Sequence, residues 1–256
     1  HAELIGLVIG DGYYGQGCEL SISDKSLYDY IKEKYYWHIG DKEPDCIKPY
    51  YRRTTIKGFT HVLEYHGMYG DTKMNKKLPV DINDWDEDSV AQLLRGYFEA
   101  DGYISKEVNR RRITLTSVSL SLINEVQKQL EKFGIISNVF PRIRNSNKRV
   151  IIKSNINNKE GFINSSDVCY NLEITRYEFI EKIADKIGFI SEYKKTRLEN
   201  SIKGYQSKVK KLNKVPFKDL LPEKGQYFIG KNCENISFVS VKTNESIGLK
   251  PIYNLE

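Results

Sequence analysis

From Leu4 to Gly10 every position is apolar or glycine, and the run ends in Asp11-Gly12. A membrane span needs about 20 such residues, so the pattern predicts a short, tightly packed helix and excludes a bilayer crossing. Leu94-Arg-Gly-Tyr-Phe-Glu-Ala-Asp101-Gly102 repeats the pattern at an offset of 90, with small residues, Asp and Gly in the same places. Each copy is followed by a strand-like stretch and an amphipathic helix. Leu20 to Ile31 pairs with Leu115 to Val126, the second helix running on to Phe133 and stopping at Gly134. Thr55 to Met68 matches Ile174 to Phe189 in the same way. The offset grows because the second half holds extra sequence, largely the Asn- and Lys-rich stretch Asn145 to Ser166, which reads as an extended hairpin loop or partly disordered arm.

Two α+β units of about 100 residues are therefore expected, at 1–90 and 91–205, each reading helix, strand, strand, helix, strand or strands, helix. A third segment, 206–256, reads as a basic linker (Lys208 to Lys214) and a small β-rich tail, with strands at Ile236 to Val241 and Ile252 to Leu255. With 256 residues and 39% apolar content the chain can bury one large or two modest cores. No basic-then-apolar leader precedes the first motif. Cys18, Cys46, Cys169 and Cys233 are scattered without C-x-x-C spacing, which argues against a zinc ribbon or disulfide framework and for a reducing, intracellular setting (cytoplasm, nucleoid or organelle).

The net charge of +6 hides an uneven distribution. Residues 1–102 carry 12 basic against 18 acidic side chains, 103–153 carry 11 against 3, and 154–256 carry 17 against 13. Within the basic segment, Arg110, Arg112, Arg142 and Arg144 alternate with apolar residues, so strands there would put guanidinium groups on one face and Ile and Leu on the other, with Arg111 opposite. Such a face suits a nucleic-acid backbone.

Gly6 and Gly10, four apart, are matched by Gly96 and Ala100, so the two motif helices can pack with their backbones in close contact. Gly12 and Gly102 are read as left-handed helix ends. About a pseudo-twofold axis, Asp11 and Asp101 would then meet at the negative ends of two helix dipoles, an arrangement that calls for a divalent cation. No H-E-x-x-H, G-x-S-x-G or P-loop competes, and the glycines of Gly10 to Gly17 lack the following Lys-Ser or Lys-Thr.

These two motifs resemble the paired dodecapeptides of the LAGLIDADG homing endonucleases, particularly the double-motif type found inside inteins. Lys76-Lys77-Leu78-Pro79 resembles the lysine block between the motifs, and Phe238 to Glu256 is similar to a late intein splicing block. The resemblance implies a monomer of two pseudo-symmetric domains, each with a saddle-shaped antiparallel sheet along the major groove of double-stranded DNA, and a site of roughly 20 base pairs. It implies a metal set of Asp11 and Asp101 with Gly10 and Ala100, taking Mg2+, with Mn2+ as a substitute and Ca2+ supporting binding without cleavage. It implies catalytic lysines at Lys76 and Lys194, with Lys77 and Lys195 as alternatives, and DNA contacts from Arg110, Arg112, Arg142, Arg144, Lys148, Arg149, Arg52 and Arg53. The rival of the same fold is an RNA maturase or a decayed, purely binding protein. Self-splicing is not expected, because neither Cys nor Ser opens the chain and no His-Asn pair closes it.

Overall fold

The computed structural model describes residues 1–14, 17–22, 24–39, 45–48, 51–70, 75–105, 111–143, 150–153, 160–163 and 168–212. The first half runs α1 (Ala2–Asp11), β1 (Gly12–Tyr13), β2 (Glu19–Ile22), α2 (Lys25–Lys34), α3 (Tyr36–Ile39), β3 (Asp45–Lys48), β4 (Tyr51–Thr55) and α4 (Phe59–Tyr65). After a 3-10 turn at Ile82–Asp84 come α5 (Glu87–Asp101), β5 (Gly102–Ile104), β6 (Ile113–Ser117), α6 (Leu120–Lys132), β7 (Asn138–Ile143), β8 (Val150–Lys153), β9 (Glu160–Ile163), β10 (Val168–Ile174), α7 (Tyr177–Lys182), a π turn (Ile183–Ile187) and α8 (Glu192–Leu212).

The repeat is a repeat of topology. One antiparallel sheet has the order β1-β2-β4-β3 and the other β5-β6-β10-β7, the same order once β8 and β9, which pair only with each other, are set aside as an insertion. The registers agree as well: Gly12 faces Leu20 and Gly102 faces Leu115, which reproduces the offsets of 90 and 95. Equivalent helices start with equivalent caps. The Asp24 carboxylate accepts from the Ser26 and Leu27 amides at α2, and the Ser119 hydroxyl accepts from the Leu122 amide at α6. Gly67 and Gly188 both turn the chain through positive φ, at 67° and 72°.

The core is continuous through both halves, and its axis is the α1–α5 pair, the most extensive helix pairing among the described residues. Leu4, Ile5, Leu7, Val8 and Ile9 are all buried, so α1 has no solvent face along its middle. On α5, Leu93, Leu94, Tyr97 and Phe98 are buried as well.

Two expectations are corrected. Lys208 to Leu212 is the end of α8 rather than a linker, since Lys, Val and Leu continue a helix once it is nucleated. Gly12 and Gly102 are extended, with φ of −90° and −76°, and not left-handed. Glycine is required there for space: a Cβ would run into the carbonyl oxygens of Val8 and Phe98. The arm Asn145 to Ser166 contains the β8–β9 pair, and the expected tail strands lie outside the described residues. The chain divides into a compact unit, His1–Lys208, and a second one, Val209–Glu256.

Candidate active site at the foot of the paired helices

The α1–α5 crossing is a backbone contact, and the glycines make it one. A methyl group on Gly6 would overlap the Leu93 carbonyl and crowd the Tyr97 amide. One on Gly96 would overlap the Glu3 carbonyl and crowd the Leu7 amide. Leu93 and Glu3, like Tyr97 and Leu7, are 90 residues apart, so the four contacts are related by the pseudo-twofold. Lower down, a Cβ on Gly10 would meet the Ala100 methyl and lie 3.4 Å from the Asp101 carboxyl carbon. All four interface residues read from the sequence thus lie in the crossing, and it brings the feet of both helices together.

Asp11 ends α1 and Asp101 ends α5. Burial raises the pKa of both carboxyls, and Asp101, with Asp11 as a second cause, is pushed up to about 6. Lys194 and Lys76 oppose the shift at both. The Lys76 ammonium donates to the carbonyls of Ile9 (2.5 Å), Gly10 (3.0 Å) and Gly12 (3.3 Å), capping the foot of α1. Lys194 does the same for α5, donating to the carbonyls of Phe98 (3.1 Å) and Glu99. Cations at the C-terminal carbonyls are where the helix dipoles favour them. Burial lowers the Lys194 pKa, while Glu99, Asp11 and Asp101 pull it back up.

The neighbouring lysines differ. Lys195 is exposed and pairs with Glu192 at 3.9 Å, whereas Lys194 turns inward, and on α5 it is Lys194 that reaches the carbonyls. On α1 that contact belongs to Lys76.

The donor set fits a divalent cation. Two carboxylates that repel one another, with helix-end carbonyls at Gly10 and Ala100, are hard oxygen donors of the kind Mg2+ takes together with water and phosphate oxygens. The Gly10 carbonyl already accepts from Lys76 and has one lone pair left for such a contact. Among the described residues no group of three or more His, Cys, Asp or Glu side chains is placed to hold a metal ion.

A pH dependence follows. The folded Asp101 pKa of about 6 lies above the unfolded-chain value, so the stability linked to its proton is complete below about pH 4 and is lost as pH rises through 6. In chelator the protein should melt lower at pH 7.5 than at pH 5. Asp101→Asn should raise stability at pH 7.5 by about 1–2 kcal/mol, discounted for partial solvent screening. A variant no more stable than the parent in chelator would refute this electrostatic picture.

The outward face of the second sheet is polar. Register puts Tyr103, Thr114, Glu173 and Asn138 in one row and Thr116, Asn171 and Phe140 in the next. Arg142 is exposed, and Arg112 is exposed but paired with Glu173 at 3.2 Å. Phe140 is 48% exposed on the face expected to hold only charges, because the alternation puts it with Arg142. In the first sheet the register pairs Arg53 with Ser21 and Arg52 with Ile22, and the side chains of both arginines lie outside the described residues. Arg110, Arg144, Lys148 and Arg149 lie outside the described residues.

Three residues with a part in the site were not singled out in the sequence. The buried Glu99 carboxylate accepts the Ile190 amide (2.7 Å) and the Ser191 amide (3.1 Å) at the start of α8. Ser119 donates its hydroxyl to the Lys76 carbonyl (2.9 Å), and Glu125 accepts the Leu78 amide (2.8 Å). The one available signal was an acid, Glu99, in a motif whose first copy has Ile9 there.

Residues 88–188, which include the second motif and its sheet, match the LAGLIDADG-like domain family. These residues form a LAGLIDADG-like domain. Over 237 residues it is 24% identical to a DNA polymerase of Thermococcus hydrothermalis, covering 87% of this chain and 13% of the polymerase. Over 221 residues it is 30% identical to the ATP-dependent DNA helicase Hel308 of Methanocaldococcus jannaschii, covering 83% of this chain and 17% of the helicase. The chain thus spans less than a fifth of either relative. Among solved structures, full-length DUF199/WhiA from Thermatoga maritima superposes with a TM-score of 0.50 at 13% identity, over 81% of this chain and 59% of that one. The homing endonuclease I-DmoI in complex with DNA and Ca superposes with a TM-score of 0.47 at 14% identity, over 78% and 96%. No helix among the described residues is long and apolar enough to cross a membrane.

Proposed function

We propose that this chain is a site-specific DNA endonuclease that makes a double-strand break in a long duplex site and acts as a monomer inside the cell. The observation that carries the reading is the pair Asp11 and Asp101, one carboxylate from each half, meeting at the foot of a pseudo-twofold helix pair with a lysine beside each. Asp11 and Asp101, with the Gly10 and Ala100 carbonyls, would hold the divalent cation. When bound, such a cation lowers the pKa of water and offsets charge on the phosphate and the leaving oxygen. Lys76 and Lys194 keep ammonium groups beside the two reacting phosphates, where negative charge develops. The outward sheet faces track the duplex and read base edges through Thr, Asn and Arg side chains.

A polymerase and a helicase have unrelated activities, yet the chain matches a small share of each. This supports reading it as an inserted homing element of the intein type. Its target is then the uninterrupted form of its own host gene. On that duplex, Mg2+ or Mn2+ should support cleavage, excess EDTA should abolish it, and Ca2+ should support binding alone. Tight binding with no cutting in either cleavage-competent metal would instead favour the maturase or decayed-binder reading.

Salt titration tests the sheet. Arg142→Ala should shallow the slope of log affinity against log salt by about 0.9, one phosphate contact. Arg112→Ala should change it less, because Glu173 already holds that guanidinium. Unchanged slopes for both would take this face off the DNA.

A further inference from the structure

The two halves place their lysines with different devices. Lys194 sits near the start of α8, and what fixes that start is the Glu99 carboxylate, buried to 4% exposure and accepting the amides of Ile190 and Ser191. The Ser191 carbonyl then accepts the Lys194 and Lys195 amides as the helix begins, and the Lys194 side chain turns back to the carbonyls of Phe98 and Glu99. The circuit closes within the second half, and one acid on α5 closes it.

In the first half the equivalent position is Ile9, fully buried and unable to accept a hydrogen bond. Lys76 is held from across the pseudo-twofold instead. Glu125 on α6 accepts the Leu78 amide, and Ser119 at the cap of α6 donates to the Lys76 carbonyl. Ser121 donates to the other Glu125 oxygen at 3.2 Å, which keeps that carboxylate turned toward the segment.

We propose that Glu99 and Glu125 are positioning residues with separable duties, Glu99 setting Lys194 and Glu125 setting Lys76, so that the two strand cuts can be slowed one at a time. The inference rests on the endonuclease reading for its effect on cleavage, but its effect on the lysines needs no DNA. The bonds of both acids run to the protein itself, to backbone amides and to Ser121. Each acts by fixing a backbone segment, and an ammonium displaced from its carbonyls loses its place beside the carboxylates.

The experiment has two readouts on Glu99→Leu and Glu125→Ala. In the first, the DNA-free protein is treated briefly with a water-soluble amine-acylating reagent and modification is quantified peptide by peptide. Glu99→Leu should raise labelling of Lys194 about tenfold and leave Lys76 near the parent rate, and Glu125→Ala should do the reverse, the size expected for freeing a segment held by hydrogen bonds to a charged group. In the second, each strand of the cognate duplex carries its own end label. Each variant should slow one strand by about tenfold or more and the other within a few-fold, with opposite strands affected, so that nicked product accumulates. Glu99→Gln, which keeps an acceptor for the two amides, should restore most of both readouts. If Glu99→Leu fails to fold, Glu99→Asp, which draws the acceptor back by one methylene, takes its place with a smaller effect of the same sign.

The same lysine exposed in both variants, or neither, overturns the assignment. So does equal slowing of both strands, which general loss of stability would give. Should the parent protein cut no duplex, the endonuclease reading fails while the labelling result still decides whether the two ties exist.

Discussion

Asp11→Asn and Asp101→Asn are each expected to remove double-strand cleavage by at least about 100-fold while DNA affinity stays within a few-fold. The substitution keeps shape but removes the charge that would hold a divalent cation, whereas duplex affinity would come from the sheets. Both carboxylates sit at one helix crossing, so neither half is expected to keep full activity when the other is neutralised. Single-turnover cleavage with excess enzyme, beside a binding titration in Ca2+, makes the measurement. A variant that cuts both strands at the parent rate would show that its carboxylate is only a helix end.

Gly6→Ala and Gly96→Ala are the second large expectation. A methyl at either position runs into a backbone carbonyl of the opposite helix, Leu93 or Glu3, and not into a side chain that could swing aside. The helices must separate or unwind, at a cost of about 3 kcal/mol, toward the upper end for overpacked cores. Urea unfolding should therefore shift strongly, and cleavage should fall further than the stability loss accounts for, because the same displacement parts Asp11 from Asp101. Gly58 offers a contrast in cause: it has open space around it and a φ of 68°, so Gly58→Ala should lose only the backbone term of about 1 kcal/mol. Parent-like stability for both interface variants would contradict the close crossing.

Much of this arrangement was legible in the sequence because it depends on residue size and period. Gly6, Gly10, Gly96 and Ala100 are small at four-residue spacing, and that is enough to predict two helices in backbone contact. The duplicated Asp-Gly predicts where the carboxylates meet. What Gly12 and Gly102 do was not legible, since a glycine needed for room and one needed for left-handed backbone look the same in one dimension. The ties to Glu99, Ser119 and Glu125 were hidden for another reason: each joins a side chain to a backbone amide or carbonyl 43 to 92 residues away, and any residue can supply that partner. Arg112 reads as a free charge in its strand pattern, while its partner Glu173 becomes a neighbour only through the β6–β10 register.

The β8–β9 insertion has a consequence for what the protein can recognise. An assembly of two identical subunits presents one surface twice and is matched to palindromes. Here a peptide link joins the two copies, and the second has taken up a hairpin between its third and fourth strands that the first lacks, without disturbing the shared strand order. Selection can therefore alter one half while the other stays as it was. On the endonuclease reading proposed above, a duplex lying across both sheets need not repeat itself when read from its two ends, and it would be bound in one direction only.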